Sequence, residues 1–204
     1  MKKIWLTVLA IVLAGFWLLT RPTSAGGGDP IDWSREPVQT KTDRASFEVP
    51  TRKGPVTLHP VASFDVAGVV AGAERYRFDN EAFLSPVDFV LTWGELPAEP
   101  YKAKVSYQQM TRYYFWRTPS PGLDPSYIQS HSSNMHMIPA SSNLKRALTS
   151  VEKGDSVRIR GLLVNAARED GYNWNSSRSR VDSGPGACEL IWVEELQVGR
   201  KLYR

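Results

Sequence analysis

The sequence predicts an α+β fold: a β-rich single domain, built as a curved antiparallel sheet or a small OB-like barrel with two short helices. An N-terminal hydrophobic helix precedes it. Three observations predict this. Residues 4–19 form one apolar run. Several later segments are short, alternating or aromatic, as strands are. Two segments carry helix punctuation instead.

The apolar run follows Lys2 and Lys3 and ends at Thr20, Arg21 and Pro22. Two readings of residues 1–25 stand. A cleavable signal peptide has a basic start, an apolar centre and small residues before the cut, which Thr23, Ser24 and Ala25 supply. A membrane anchor needs about 20 apolar residues, with about 17 as a lower limit. Either reading keeps the lysines in the cytoplasm and exports residues 26–204. The expected location is therefore the periplasm or exterior, inner-membrane anchored or secreted. A buried core helix would show a polar face, and this run has none.

Residues 26–58 read as a flexible tether. Gly26, Gly27, Gly28, Pro30 and Pro37 interrupt it, and alternating charges leave little apolar periodicity. Residues 59–204 are long enough for one domain with its own core. Phe64, Val66, Gly68 and Val70 alternate as in a strand. Ser85, Pro86 and Asp88 resemble a helix start, followed by Val87, Val90 and Leu91 as a short stripe. Residues 103–109 and 111–118 read as aromatic strands. Leu144, Ala147, Leu148 and Val151 fall at helical spacing, with Ser141 or Ser142 as cap and Gly154 as stop. Residues 156–164 and 187–198 read as the last strands. In the first of these, Val157, Ile159, Gly161 and Leu163 share one face.

The whole chain carries 25 basic and 21 acidic residues, a net of +4. Three of those bases and no acid lie in the first 25 residues, so the exported part is nearly neutral. Nucleic-acid binding usually needs a basic face, because neutralised phosphates supply most of the affinity. No nucleic-acid partner is expected. Cys188 is the single cysteine, so an intrachain disulfide is excluded.

Three clusters are able to carry chemistry. His131 and His136, five apart, are possible metal ligands, but a zinc site needs at least a third ligand. Hydrogen-bonded structural histidines are the plainer reading, and neither a metal nor a cofactor is expected. Cys188 follows Gly184, Pro185 and Gly186 at a loop–strand junction. It is a candidate nucleophile if His131 or His136 stands beside it. Its alternation with Leu190 and Trp192 instead predicts a core thiol. The third cluster is aromatic and basic: Arg112, Tyr114 and Trp116, with Trp174, Arg178 and Arg180. Such groups stack on sugars, bases or partner side chains, and they equally build a buried strand.

The order His, Cys188, Arg200, with Lys153-Gly154-Asp155 before a strand, is similar to sortases, membrane-anchored β-barrel cysteine transpeptidases. Their Thr-Leu-x-Thr-Cys motif is replaced here by Gly-Pro-Gly-Ala-Cys188. A broader likeness covers about residues 85–197. Tyr113-Tyr-Phe-Trp-Arg117, His131 to Ala140, Lys153 to Gly161 and Gly186 to Glu189 resemble a group of bacterial exported or membrane-anchored proteins with no established activity. That resemblance implies a one-domain envelope protein and assigns no residue a role. The leading expectation is a non-catalytic envelope domain that binds a protein or glycan partner, and that meets the membrane through its N-terminal segment if uncleaved. The alternative is a cysteine-dependent transpeptidase or hydrolase using Cys188 with His131 or His136.

Overall fold

The computed structural model describes residues 5, 6, 9, 12, 13, 20–179, 182, 184 and 186–204. The expected hydrophobic helix falls mostly outside them. Among the described residues no helix is long and apolar enough to cross a membrane.

Among the described residues from Gly26 on, twelve strands and three short helices make a β-rich domain. The strands are β1 (Gly26–Gly27), β2 (Val38–Thr40), β3 (Phe47–Val49), β4 (Val56–Arg75), β5 (Val87–Thr92), β6 (Ser106–Met110), β7 (Tyr113–Arg117), β8 (Ser132–Pro139), β9 (Ser156–Ala167), β10 (Asn173–Trp174), β11 (Glu189–Val198) and β12 (Lys201–Tyr203). The helices are α1 (Tyr101–Lys104), α2 (Pro125–Ser130) and α3 (Ser142–Ser150).

Five strands pair in a ring: β4 with β5, β5 with β8, β8 with β11, β11 with β9, and β9 with β4. The sheet is mixed, which corrects the antiparallel expectation: β8 and β11 run parallel. Helix α3 crosses between β8 and β9. A parallel pair cannot be joined by a tight turn, so chain must intervene between its members. The five strands pair in the order of the OB-like candidate, but they belong to one mixed sheet that additional strands extend, not to a true barrel, which corrects the small-barrel alternative. Register shifts in β4 at Pro60/Ala62 and Val70/Gly72 bend this 20-residue strand so that it serves both sides of the ring. Gly161 lets the ring close: a Cβ there would stand 1.9 Å from the Trp192 carbonyl oxygen.

The ring encloses the main core. Phe64, Val66 and Val70 of β4 meet Phe89 and Leu91 of β5 and Val157, Ile159 and Leu163 of β9, as the alternation of β4 and β9 predicts. Helix α3 covers the core with Leu144, Ala147 and Leu148, and its cap is the expected one: the Ser141 hydroxyl accepts from the Leu144 amide at 3.1 Å. A second cluster lies outside the ring, where Leu58, Ile138, Leu162, Val164 and Leu190 meet Phe47, Val49 and Trp192. Strands β8, β9 and β11 are thereby buried on both faces. Leu190 and Trp192 belong to this outer cluster, while Ile191 and Val193 face the core, reversing the expected phase of β11.

Two further expectations give way. Residues 85–91 are not a helix. Val87–Thr92 is a strand buried at every position, and its Val, Phe and Leu suit a two-sided strand rather than a one-sided helix. Residues 26–58 are not a free tether among the described residues. Strand β1 pairs with β12, and β2 and β3 pair with β4. Phe47 packs edge-on to Trp192 at 5.2 Å. The Glu36 carboxylate holds the His131 Nε2 at 2.8 Å and accepts from the Trp93 indole at 3.2 Å. Glycine and proline broke the periodicity, but scattered apolar residues still found the outer face of the ring.

Candidate functional site

A cleft of about 440 Å³ opens where three connections converge over the β8 end of the ring. The β4–β5 loop supplies Glu81, the β6–β7 turn supplies Arg112 and Tyr113, and the chain between β9 and β11 supplies Trp174 and Asn175. His136 of β8 and Cys188 line the same space.

The turn positions Arg112. Strands β6 and β7 pair Met110 with Tyr113, leaving a two-residue connection. Its residues, Thr111 (φ 50°) and Arg112 (φ 72°), are both left-handed without being glycine. Such a conformation is costly for L-residues and persists only where the surroundings enforce it. Here Asn134 Nδ2 donates to the Arg112 carbonyl at 2.9 Å. The guanidinium binds Asp79 through Nε at 2.7 Å and Nη2 at 2.9 Å. Its Nη1 reaches Asp88 Oδ1 at 2.7 Å. It also stacks over the Tyr76 ring at 3.6 Å.

Asp88 is fully buried on β5 and stands between Arg112 and His136. Its second oxygen lies 2.9 Å from His136 Nδ1, close but without hydrogen-bond alignment. His136 in turn tilts against Trp174 with ring centres 4.6 Å apart. One chain of contacts therefore runs Asp79–Arg112–Asp88–His136–Trp174. Burial works against the Arg112 charge, but the Asp79 hydrogen bonds and both carboxylates outweigh it and raise its pKa. Burial would raise the Asp79 carboxyl, yet Arg112 holds it below the usual carboxylate value. Burial and the Asp88 charge push the Tyr76 hydroxyl up to about 12.

Cys188 lies partly buried in this cleft rather than within a hydrophobic cluster. Its Sγ sits 3.8 Å from Asn134 Nδ2 and 3.9 Å from the Arg112 carbonyl. Burial pushes the thiol up to about 12, against the pull of the Asn134 contact; the Glu189 and Asp88 charges add to the rise. A thiolate is the reactive form, so this thiol is expected to be inert near neutral pH. Iodoacetamide at pH 7.5 is expected to label the native protein far more slowly than the urea-unfolded chain. Equal rates would show an accessible thiolate. The raised value also has a consequence above pH 9. There the unfolded thiol ionises while the folded one stays protonated, so stability falls as pH rises toward about 12.

The other expected site residues go elsewhere. His131 stacks on Tyr127 at 3.7 Å and pairs with Glu36, away from Cys188. Arg200 lies beyond the far end of β11, a strand of 10 residues, about 30 Å from Cys188 along its length. The sortase-like trio is therefore not assembled. Among the described residues no group of three potential ligands is placed to hold a metal. Of the proposed binding residues, Arg112 and Trp174 meet in the cleft. Tyr114 points inward, its hydroxyl donating to the Ser132 carbonyl at 2.9 Å. Trp116 packs beside Leu96, Val105 and Ile128. Arg178 is exposed and does not line the cleft, and Arg180 lies outside the described residues.

The aromatic strand was thus identified with the wrong face outward. Tyr113 and Phe115 are the exposed pair, beside Met110. Asp88 was the missed signal: a lone acid within Val-Asp-Phe-Val-Leu has to find a buried partner. No family model, curated protein or solved structure matches this chain at a significant level.

Proposed function

We propose that the domain is a non-catalytic, extracytoplasmic binding module for an envelope glycan, which it takes in the cleft between the β4–β5 loop and the β9–β11 connection. The basic, apolar N-terminus supports the location. The charge of the cleft carries the choice of ligand. Among the described residues lining it, the one arginine is already paired with Asp79 and Asp88, and Glu81 adds a further acid. Those described residues offer no free positive charge with which to select phosphates. It offers instead an aromatic ring, Trp174, and the amides of Asn173 and Asn175. Ring faces stack on the apolar faces of sugars, and amides exchange hydrogen bonds with hydroxyl and acetamido groups. Tyr113, Phe115 and Met110 continue an exposed apolar strip along the hairpin. In OB-like domains the two corresponding connections hold oligosaccharides or oligonucleotides, and this analogy of fold points to the same side.

The thiol-enzyme reading has less support. Cys188 and His136 share the cleft, but the thiol is held protonated, and His136 faces Asp88 rather than the sulfur.

A glycan array of neutral and acidic oligosaccharides tests the proposal. The protein is expected to retain neutral sugars, and Trp174→Ala to weaken retention at least tenfold, about 1.4 kcal/mol. Binding confined to polyphosphates, or unaffected by Trp174→Ala, would refute it.

A further inference from the structure

A second surface lies on the other side of the β4–β5 loop. A groove of about 820 Å³ runs between this loop, the β3–β4 connection and α3. Arg52, Arg75, Arg77 and Lys145 line it, and among the described residues no carboxylate does. The loop separates its charges. Asp79 turns away to Arg112, and Glu81 lines the glycan cleft. Arg75 is fixed in place, with Nε donating to the Thr149 carbonyl at 2.6 Å and Nη2 to the Val151 carbonyl at 2.9 Å. Arg52 donates to the Arg77 carbonyl at 3.3 Å. At the tip of the loop Phe78 is 96% exposed. In a nearly neutral domain, four cations around a bare aromatic ring form a localised feature rather than average surface.

We propose that this groove and the Phe78 tip dock the domain on an anionic phospholipid bilayer. The cations meet phosphate headgroups, and the phenyl ring enters the interface between headgroups and acyl chains. Charge complementarity favours lipid phosphate, and Phe78 favours a bilayer over a soluble polyanion, which offers nothing for an exposed phenyl ring to enter. The apolar run is the second argument. Thr23, just after it, is pinned to α3: its amide donates to Asn143 Oδ1 at 2.8 Å, and Asn143 Nδ2 donates to its carbonyl at 2.9 Å. Asn143 and Lys145, two apart on the helix, lie on opposite flanks of α3, so a retained anchor would hold the domain at a bilayer surface while the groove's charge and Phe78 select the face that meets it. A few basic residues and one ring bind membranes reversibly, and the apolar run supplies the second attachment. This inference does not depend on the glycan reading.

The test uses the full chain with Phe78→Cys in a Cys188→Ser background, labelled at position 78 with the fluorophore NBD and reconstituted into vesicles. A blue-shifted emission, quenched by lipid-borne nitroxide, is expected in vesicles of phosphatidylglycerol and phosphatidylcholine. It is expected to vanish in pure phosphatidylcholine, in 1 M salt (where screening is short-ranged) and on adding R77E and K145E, two exposed side chains whose loss leaves the core intact. Unchanged emission in anionic vesicles overturns the proposal. So does an equal shift in neutral vesicles. A shift produced by soluble polyphosphate, without lipid quenching, would replace the bilayer with a soluble polyanion.

Discussion

Replacing Arg112 with alanine is expected to lower folding stability by about 3–5 kcal/mol, the range for breaking a buried ion pair by removing one partner. Asp88 is fully buried, and Arg112 is its strongest partner. Without the guanidinium, the Asp88 carboxyl is left fully buried without its closest charged partner. Asp79 loses a bidentate partner, and the turn keeps its left-handed backbone with less to hold it. Urea denaturation at pH 7 measures the loss. Adding Asp88→Asn to the alanine variant should recover part of it, since a neutral amide costs less to bury than an unpaired carboxylate. A loss below about 1 kcal/mol would mean that the pair contributes little.

Leu148→Ala is expected to cost about 2–4 kcal/mol. Leu148 is wholly buried on α3, over the core inside the ring. The ring strands are tied to one another on both edges and have little freedom to collapse into the space left behind. Truncation should therefore leave a cavity and approach the upper end of the range. A loss under about 0.5 kcal/mol in the same titration would show that α3 sits loosely on the ring.

Much of this fold was legible where one physical signal acted alone. Helix α3 has its apolar stripe and its serine cap, and the structure keeps both. Strand β9 shows its inner face by alternation, with Val157, Ile159 and Leu163 in the core. Legibility failed where two signals collided. Ser85 and Pro86 have the chemistry of a helix start, but the six residues after Pro86 bury both faces, and burial won. In β11 both faces are apolar, so alternation could not say which faced the core. Residues 26–58 owe their order to the outer face of the ring, which local composition does not reveal.

The site was half legible for the same reason. Arg112, Trp174, His136 and Cys188 were all singled out as residue types able to do chemistry, and the fold brings them into one cleft. Their partnership was not readable, because it depends on a hairpin turning back toward Asp88. That turn also decided which aromatic residues face outward: Tyr113 rather than Tyr114.

The most direct test of the glycan reading is two-dimensional NMR of nitrogen-15-labelled protein titrated with neutral oligosaccharides, N-acetylhexosamine oligomers included. The account predicts saturable shifts of the Trp174 indole and of the Asn173 and Asn175 side-chain amides, while the Trp192 indole outside the cleft stays still. Saturable shifts confined to the Trp192 side, or no shift with any glycan tested, would contradict it.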